Sequence, residues 1–596
     1  MRHLLRFLRS FWHGLDVLRR VLHLVLLLGL LLLLLVVMRE SRPGLPAKGA
    51  LVIHPSGDLV EQLSGDPFER ALNRAQGQAA PQTLLWDLTR AIRAAASDDR
   101  VQALLIDTDD LASAGQPQVE ELASAIAQFR RSGKKVIARG GYFMQDQYLL
   151  AAQADEVYLD PLGFVLLTGY ERYRMYFREA LDKLSVDVHL IRAGKFKSAE
   201  EPFIRKDMSP EDREASSVYL RSLWKGMRES IAAARHLEPG ALESYVDGYG
   251  AAVMAAGGDT AAVAQQAGLV TALKSSAEVD HLLADLVGKG EGGHGFSAID
   301  CDDYLKALRV DERLHRTQGD AVGVVVASGE MLDGRQPSGT IGGESTAALL
   351  RRAREDDNVR AVVLRIDSPG GSVYAAEQIY REVQALREAG KPVVASMGDV
   401  AASGGYYIAA PADEIFASAS TITGSIGVFG VLPTFDRSLA RLGVHVDGIG
   451  TTPLSGVMRV DRPLKPELEQ LLQSVVNHTY QGFLDRVATG RHKTVAAIDE
   501  IAQGRVWAGS DALRLGLVDH IGGYQDAVDS AAQRAHLGKH FETRLIEPDL
   551  SFSDQLLLNM RSGALHLAAL FRPAASAPVA MLARDAATLA PQWAAV

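Results

Sequence analysis

After a basic start the chain runs into an apolar stretch, VLHLVLLLGLLLLLLVVM (21–38), interrupted only by His23 and long enough to cross a bilayer as one helix. Arg2, Arg6, Arg9, Arg19 and Arg20 precede it, opposed only by Asp16. That bias predicts a cytoplasmic segment over 1–20, a membrane span over 21–38 and the remaining bulk on the far side. The residues that follow, Val37-Met38-Arg39-Glu40, are bulky and charged and offer no small-x-small cleavage site. The expectation is an uncleaved signal anchor, against the alternatives of a buried helix or a cleaved signal peptide.

Beyond residue 48 the pattern changes. Short β-branched runs alternate with stretches whose apolar positions recur at helical spacing. VRAVVLRID (359–367) has strand length and composition, AAEQIYREVQALREAG (375–390) is amphipathic and ends on a glycine, and KPVVASM (391–397) is the next strand. Strands alternating with helices predict βαβ units and a mostly parallel sheet buried on both faces.

The same series occurs twice. DDRVQALLIDT (98–108) resembles DDNVRAVVLRID (356–367), GKKVIA (133–138) resembles GKPVVA (390–395), and YLLAAQADEVYLDP (148–161) matches YYIAAPADEIFASA (406–419). LSVDVHLIRAGKFKSA (184–199) aligns with LGVHVDGIGTTPLSGV (442–457), and AQQAGLV (264–270) with ALRLGLV (512–518). Five matches in one order imply a duplication. Two α/β domains are expected, over 48–290 and 318–545, joined through the glycine-rich GKGEGGHG (288–295) and the polar stretch after it. The alanine-rich tail, 551–596, suggests no role.

Composition narrows the chemistry. A formal net charge of −10 gives no reason to expect nucleic acid as a partner. Sixteen histidines are scattered without an HExxH or a Cys/His cluster, so no metal is expected. Cys301 is the single cysteine, which leaves stability to packing. GYGAAV (248–253) lacks the third glycine of a dinucleotide fingerprint and follows no strand.

The second copy carries IDSPGGS (366–372) directly after a strand. Its paired glycines free backbone amides for an oxyanion, although a tight turn would have the same composition. MGDVAASGGYYIAA (397–410) then places Ser403 after a strand and before a helix, a position that suits a nucleophile and equally a helix N-cap. Ala401 rules out the G-x-S-x-G elbow, and no histidine flanks the serine. The first copy has about Gln145 where the second has Ser403, and DTDDLASAG (107–115) in place of the SPGG loop. It has Lys197 where the second copy has Ser455. One copy thus offers a nucleophile and the other a base, provided burial pulls the lysine pKa down; a lone lysine is otherwise a solvated surface group, and Lys195 and Lys206 compete for the role. Ser425, in TGSIG, either positions Lys197 or caps a turn.

RAGKFKSAEEPFIR with MSPEDREA, RIDSPGGSV, GDVAASGGYYIAAPAD and STITGSIGVFG together resemble the signature stretches of the signal peptide peptidase A (protease IV) family, in the same order and over roughly residues 48–545. The resemblance implies a tandem ClpP/crotonase-type α/β fold behind a transmembrane helix. It also implies a serine endopeptidase without cofactor, working through Ser403 and Lys197, with an oxyanion hole from the amides of Gly371 and Gly404. A homotetramer in the bacterial inner membrane, with its catalytic domains in the periplasm, is implied too, with cleaved signal peptides and other short hydrophobic peptides as substrates. Asp367 departs from the asparagine expected before SPGG, and a carboxylate there would perturb the field of the loop. Two other classes remain to be discriminated, a crotonase-like acyl-CoA hydratase or isomerase and a non-catalytic membrane scaffold.

Overall fold

VQALLID (Val101–Asp107) and VRAVVLRIDS (Val359–Ser368) are β-branched runs buried almost throughout, and each lies inside a parallel sheet with helices on both faces. In the computed structural model residues 19–29, 44–66, 70, 73, 81–290, 295–315, 319–538 and 541–548 are described. The chain divides into two compact units, residues 1–42 with 549–596, and 43–548.

In the first unit residues 19–29 are helical and exposed. The expected membrane span continues to 38, and residues 30–38 lie outside the described residues, as does the tail over 551–596. Among the described residues no helix is long and apolar enough to cross a membrane.

The second unit contains both repeats. The first sheet runs, in spatial order, Ala298–Asp300, Gly49–Ile53, Val101–Asp107, Lys135–Gly140, Glu156–Leu159, Ala272–Leu273, all parallel. The second repeats that order as Glu542–Leu545, Ala321–Ser328, Val359–Ser368, Val393–Ala402, Glu414–Ala417, His520–Ile521. Val359 and Glu414 begin their strands 258 residues after Val101 and Glu156 begin theirs, so the duplication read from sequence is a duplication of structure. Alternate residues of each strand enter different cores. Leu104 and Ile106 pack with Leu88, Ile92, Leu122 and Ile126, whereas Ala103 and Leu105 pack with Val279 and Leu283 on the other face.

The boundary differs from the expectation at 290. Ala298–Asp300 adds a strand to the edge of the first sheet, and the helix Cys301–His315 follows it, so the first domain extends past the glycine-rich run. The exposed edge of Gly49–Ile53 still has amides and carbonyls to pair, and this short apolar segment covers them.

Two features separate the copies. Val393–Ala402 is ten residues long against six in Lys135–Gly140, and its extra turns of strand pair with Ile422–Gly424, a strand that in turn pairs with Val506–Ala508. The copies are also joined by a two-stranded antiparallel ribbon, Asp187–Ala193 with Val428–Thr434, in register from Val428 opposite Ala193 to Thr434 opposite Asp187. A long strand that ends one residue before Ser403 and a ribbon that ends four residues before Lys197 bring the two halves together.

Candidate active site

Ser403 follows the last residue of Val393–Ala402 and precedes the short helix Gly404–Ala409. It occupies the cap position, yet its hydroxyl caps nothing. Its backbone has φ 54° and ψ −117°, a conformation a side-chain-bearing residue adopts at a cost of about 1–3 kcal/mol. The amide of Ser403 donates to the Gly424 carbonyl at 2.8 Å, which holds the turn in place.

Lys197 arrives from the other repeat. Beyond the ribbon, Gly194 turns with φ 118°, and the Phe196 amide donates to the Gln503 carbonyl at 2.7 Å. Gly504, with φ 76°, lies so close that a Cβ on it would sit 2.7 Å from the Lys197 Cβ. The Lys197 side chain is thereby sealed, 5% exposed, with Nζ 3.0 Å from Ser403 Oγ. Nζ also lies 2.9 Å from the Ser425 carbonyl and 3.0 Å from Ser425 Oγ. The Phe429 ring stands 6.0 Å away as an apolar wall. Burial lowers the Lys197 pKa to about 8, with Glu200 opposing the shift. Lys195 is exposed beside the Phe196 ring and Lys206 is exposed, so neither competing lysine has the same burial.

The glycines of SPGG sit against the start of the serine helix. Gly370 has φ 98° and Gly371 φ 148°. The Met331 amide donates to the Gly370 carbonyl and the Ser372 amide to the Met331 carbonyl, so this short parallel bridge turns the Gly371 amide away from Met331. A Cβ on Gly404 would lie 3.3 Å from the Gly371 nitrogen, and one on Gly370 would lie 2.5 Å from the Gly404 nitrogen. The Gly371 and Gly404 nitrogens thus lie close to one another beside Ser403, and among the described residues neither donates to a backbone carbonyl.

The equivalent place in the first repeat is closed. Gln145 uses its side-chain oxygen to accept from the amides of Thr168 and Gly169, and Asp109 accepts from the Gly141 amide at 2.7 Å. Gln145 is thereby engaged as a hydrogen-bond acceptor, and its amide side chain offers no nucleophile.

Asp367 does not face the SPGG loop. Its Oδ1 accepts from the Val400 amide at 3.0 Å, across the register shift between the two strands that lead to the site. Behind it lies a buried charge cluster at the junction of the repeats. Arg365, 1% exposed, donates to Glu61 at 2.7 and 3.0 Å and pairs with Glu121 at 2.6 Å. Burial and then Glu61 raise the Asp367 pKa to about 6, and burial followed by Asp367 pushes Asp399 well above the ordinary carboxylate range. A folded-state pKa above the unfolded 3.8 means that between about pH 4 and 6 the folded protein keeps a proton the unfolded chain has released. Raising the pH through this window therefore costs the folded state. Relative to wild type, Asp367→Asn is expected to gain about 2–3 kcal/mol between pH 4 and pH 7, read from urea unfolding at both pH values. An equal difference at the two pH values would mean that Asp367 does not titrate there.

The sequence patterns did not mark the scaffold of the lysine turn. Ser198 Oγ donates to Asp212 Oδ1 at 2.7 Å, and Asp212 is gripped by Arg172 and Arg174, each at 2.7 Å. Arg174 also donates to the Ser198 carbonyl, and Ser209 caps the helix Pro210–Arg235 by accepting from the Asp212 amide. The one available signal was Ser-Pro-Glu-Asp at 209–212, a helix start that fixes where Asp212 must point.

The chain has relatives among known proteins. Residues 128–287 and 385–538 match Peptidase family S49. The chain is 40% identical over 556 residues to Protease 4 of Salmonella typhi, covering 90% of this chain and 88% of that one. It is 38% identical to Protease 4 of Haemophilus influenzae, covering 88% and 86%. To the chloroplastic serine protease SPPA of Arabidopsis thaliana it is 31% identical, covering 78% and 68%. With both repeats matched and this identity carried across most of its length, the chain belongs to peptidase family S49 and is a serine protease.

Proposed function

We propose that the protein is a membrane-anchored endopeptidase that degrades cleaved signal peptides and other short hydrophobic peptides through a Ser403/Lys197 dyad. The observation that carries this reading is the 3.0 Å approach of a buried lysine amine to a serine hydroxyl that caps nothing. A neutral amine has two hydrogens and one lone pair. Ser425 offers two acceptors, its carbonyl and its hydroxyl, so the lone pair is left for the Ser403 proton. Ser425 is thus a positioning residue.

In the proposed cycle neutral Lys197 takes the hydroxyl proton as Ser403 Oγ bonds to the peptide carbonyl carbon. The oxyanion accepts hydrogen bonds from the Gly371 and Gly404 amides. Lys197 then protonates the amine as the C–N bond breaks, and water releases the acyl group with Lys197 again as base. Exposed apolar side chains beside the loop and ribbon, Leu332, Val373 and Phe429, support apolar substrates. The apolar run over 21–38 and its flanking arginines support an inner-membrane anchor with the domains on the periplasmic side. The family resemblance supports a homotetramer.

The test is cleavage of a signal-peptide-like hydrophobic peptide, together with labelling by a serine-directed fluorophosphonate. Wild type should cleave and carry the label on Ser403. Ser403→Ala should do neither while melting like wild type. Retained cleavage in Ser403→Ala would overturn the assignment of the nucleophile.

A further inference from the structure

The mechanism leaves one buried acid unused. The Glu200 side chain, three residues after Lys197, is 0% exposed. Its Oε1 is 3.4 Å from Arg192 Nη1, and its Oε2 has no hydrogen-bond partner among the described residues. The same Arg192 nitrogen donates to the Lys197 carbonyl at 3.1 Å. One guanidinium therefore ties the backbone of the lysine to the carboxyl of Glu200. A carboxylate this dry and this poorly satisfied is costly to hold in a fold, and no packing reason requires an acid at that position.

The neighbouring charges are otherwise engaged. Asp212, Arg172 and Arg174 close on Ser198. Glu201 accepts from the Ser209 amide. On the facing loop Arg505 pairs with Glu214 and lies over the rings of Phe196 and Trp507. That leaves Arg192 and Lys197 as the cations that act on Glu200. Burial raises the Glu200 carboxyl, and Glu200 is in turn the acid that opposes the lowering of Lys197.

We propose that Glu200, held by Arg192, is a positioning residue that sets the protonation equilibrium of Lys197 and hence the pH at which the protease becomes active. The proposal rests on Lys197 being the base. An ionised Glu200 favours the ammonium form, which cannot accept the Ser403 proton. Its charge costs activity at lower pH by displacing the acid limb upward.

The experiment is the pH profile of kcat/KM for peptide cleavage by the full-length protein, as wild type, Glu200→Gln, Glu200→Ala and Lys197→Met. Removing the negative charge should move the acid limb to lower pH by about 0.5–1 unit. Well below the limb this is about a 3–10-fold gain in kcat/KM over wild type. Both Glu200 variants should shift together, because they share the loss of charge and differ in packing. The position of the limb does not depend on how much enzyme is folded, so a variant of reduced stability still reports. A lower plateau with an unmoved limb in both variants would mean that Glu200 only supports the turn, and the proposal would fall. Activity surviving in Lys197→Met would instead remove the dyad reading itself.

Discussion

Lys197→Met is expected to cut kcat/KM for peptide hydrolysis by at least about 10⁴-fold while leaving the fold intact. Methionine fills nearly the same volume but has no lone pair that can take the Ser403 proton, and no ammonium to return one to the leaving amine. Its effect on stability should run the other way. Lys197 titrates near 8 in the folded chain against 10.5 when unfolded, so below pH 8 the folded state holds a buried ammonium at a cost. Between about pH 8 and 10.5 the unfolded chain binds the proton that the folded chain has lost, and wild-type stability rises through that window. Lys197→Met should accordingly gain up to about 3 kcal/mol at pH 7, and the gain should shrink toward pH 10.5. In wild type kcat/KM should climb with pH to a plateau above about 8, as the amine becomes neutral. An inactive variant that is less stable than wild type at pH 7 would point to a structural role for Lys197 instead.

Gly371→Ala is expected to lower kcat by about 10²–10³-fold, with a much smaller change in KM. At φ 148° an alanine is strained, and its Cβ would come within 2.1 Å of the Met331 carbonyl oxygen. That oxygen accepts the Ser372 amide, so the loop cannot yield without losing the bridge that holds Gly371 in place. The oxyanion forms only during the reaction, which is why the loss belongs to kcat. Gly404→Ala is the comparison. Its Cβ would meet the Gly370 Cα at 3.2 Å, the Gly371 nitrogen at 3.3 Å and Met331 Sδ at 3.4 Å, contacts that shifts of a few tenths of an ångström relieve, against 2.1 Å for alanine at 371. Steady-state kinetics should therefore rank Gly371→Ala well below Gly404→Ala. Equal activity in the two would show that the Gly371 amide is not a donor to the reaction.

These two sites express a conflict visible elsewhere in the chain. Ser403 and Ser425 both hold positive φ, and Lys197 is an amine kept dry, so the geometry that prepares the chemistry works against stability. The ribbon between the repeats and the Arg365 cluster hold the two copies together at the junction where these residues lie.

Much of this was legible in the chain itself. The duplication, the strands around Val101–Asp107 and Val359–Ser368, and the glycine loop all follow from local patterns, because alternation, chain reversal and turn formation depend on neighbours in sequence. The complementary losses between copies, Gln145 for Ser403 and Ser455 for Lys197, singled out the pair before any geometry did. Only the tertiary structure decided that the two side chains meet, within one chain and at 3.0 Å, although 206 residues separate them. That contact depends on antiparallel pairing between Asp187–Ala193 and Val428–Thr434 and on Gly504 packing against Lys197, which no local periodicity encodes. The direction of Asp367 was also beyond the pattern. A carboxylate before the SPGG loop read as a perturbation, and the structure shows it accepting from the Val400 amide of the neighbouring strand. The sequence determined which residues are candidates for the chemistry, since residue type sets what can donate or accept a proton. Tertiary packing decided that they meet and in what surroundings, since burial lowers the lysine pKa and long-range pairing sets its aim.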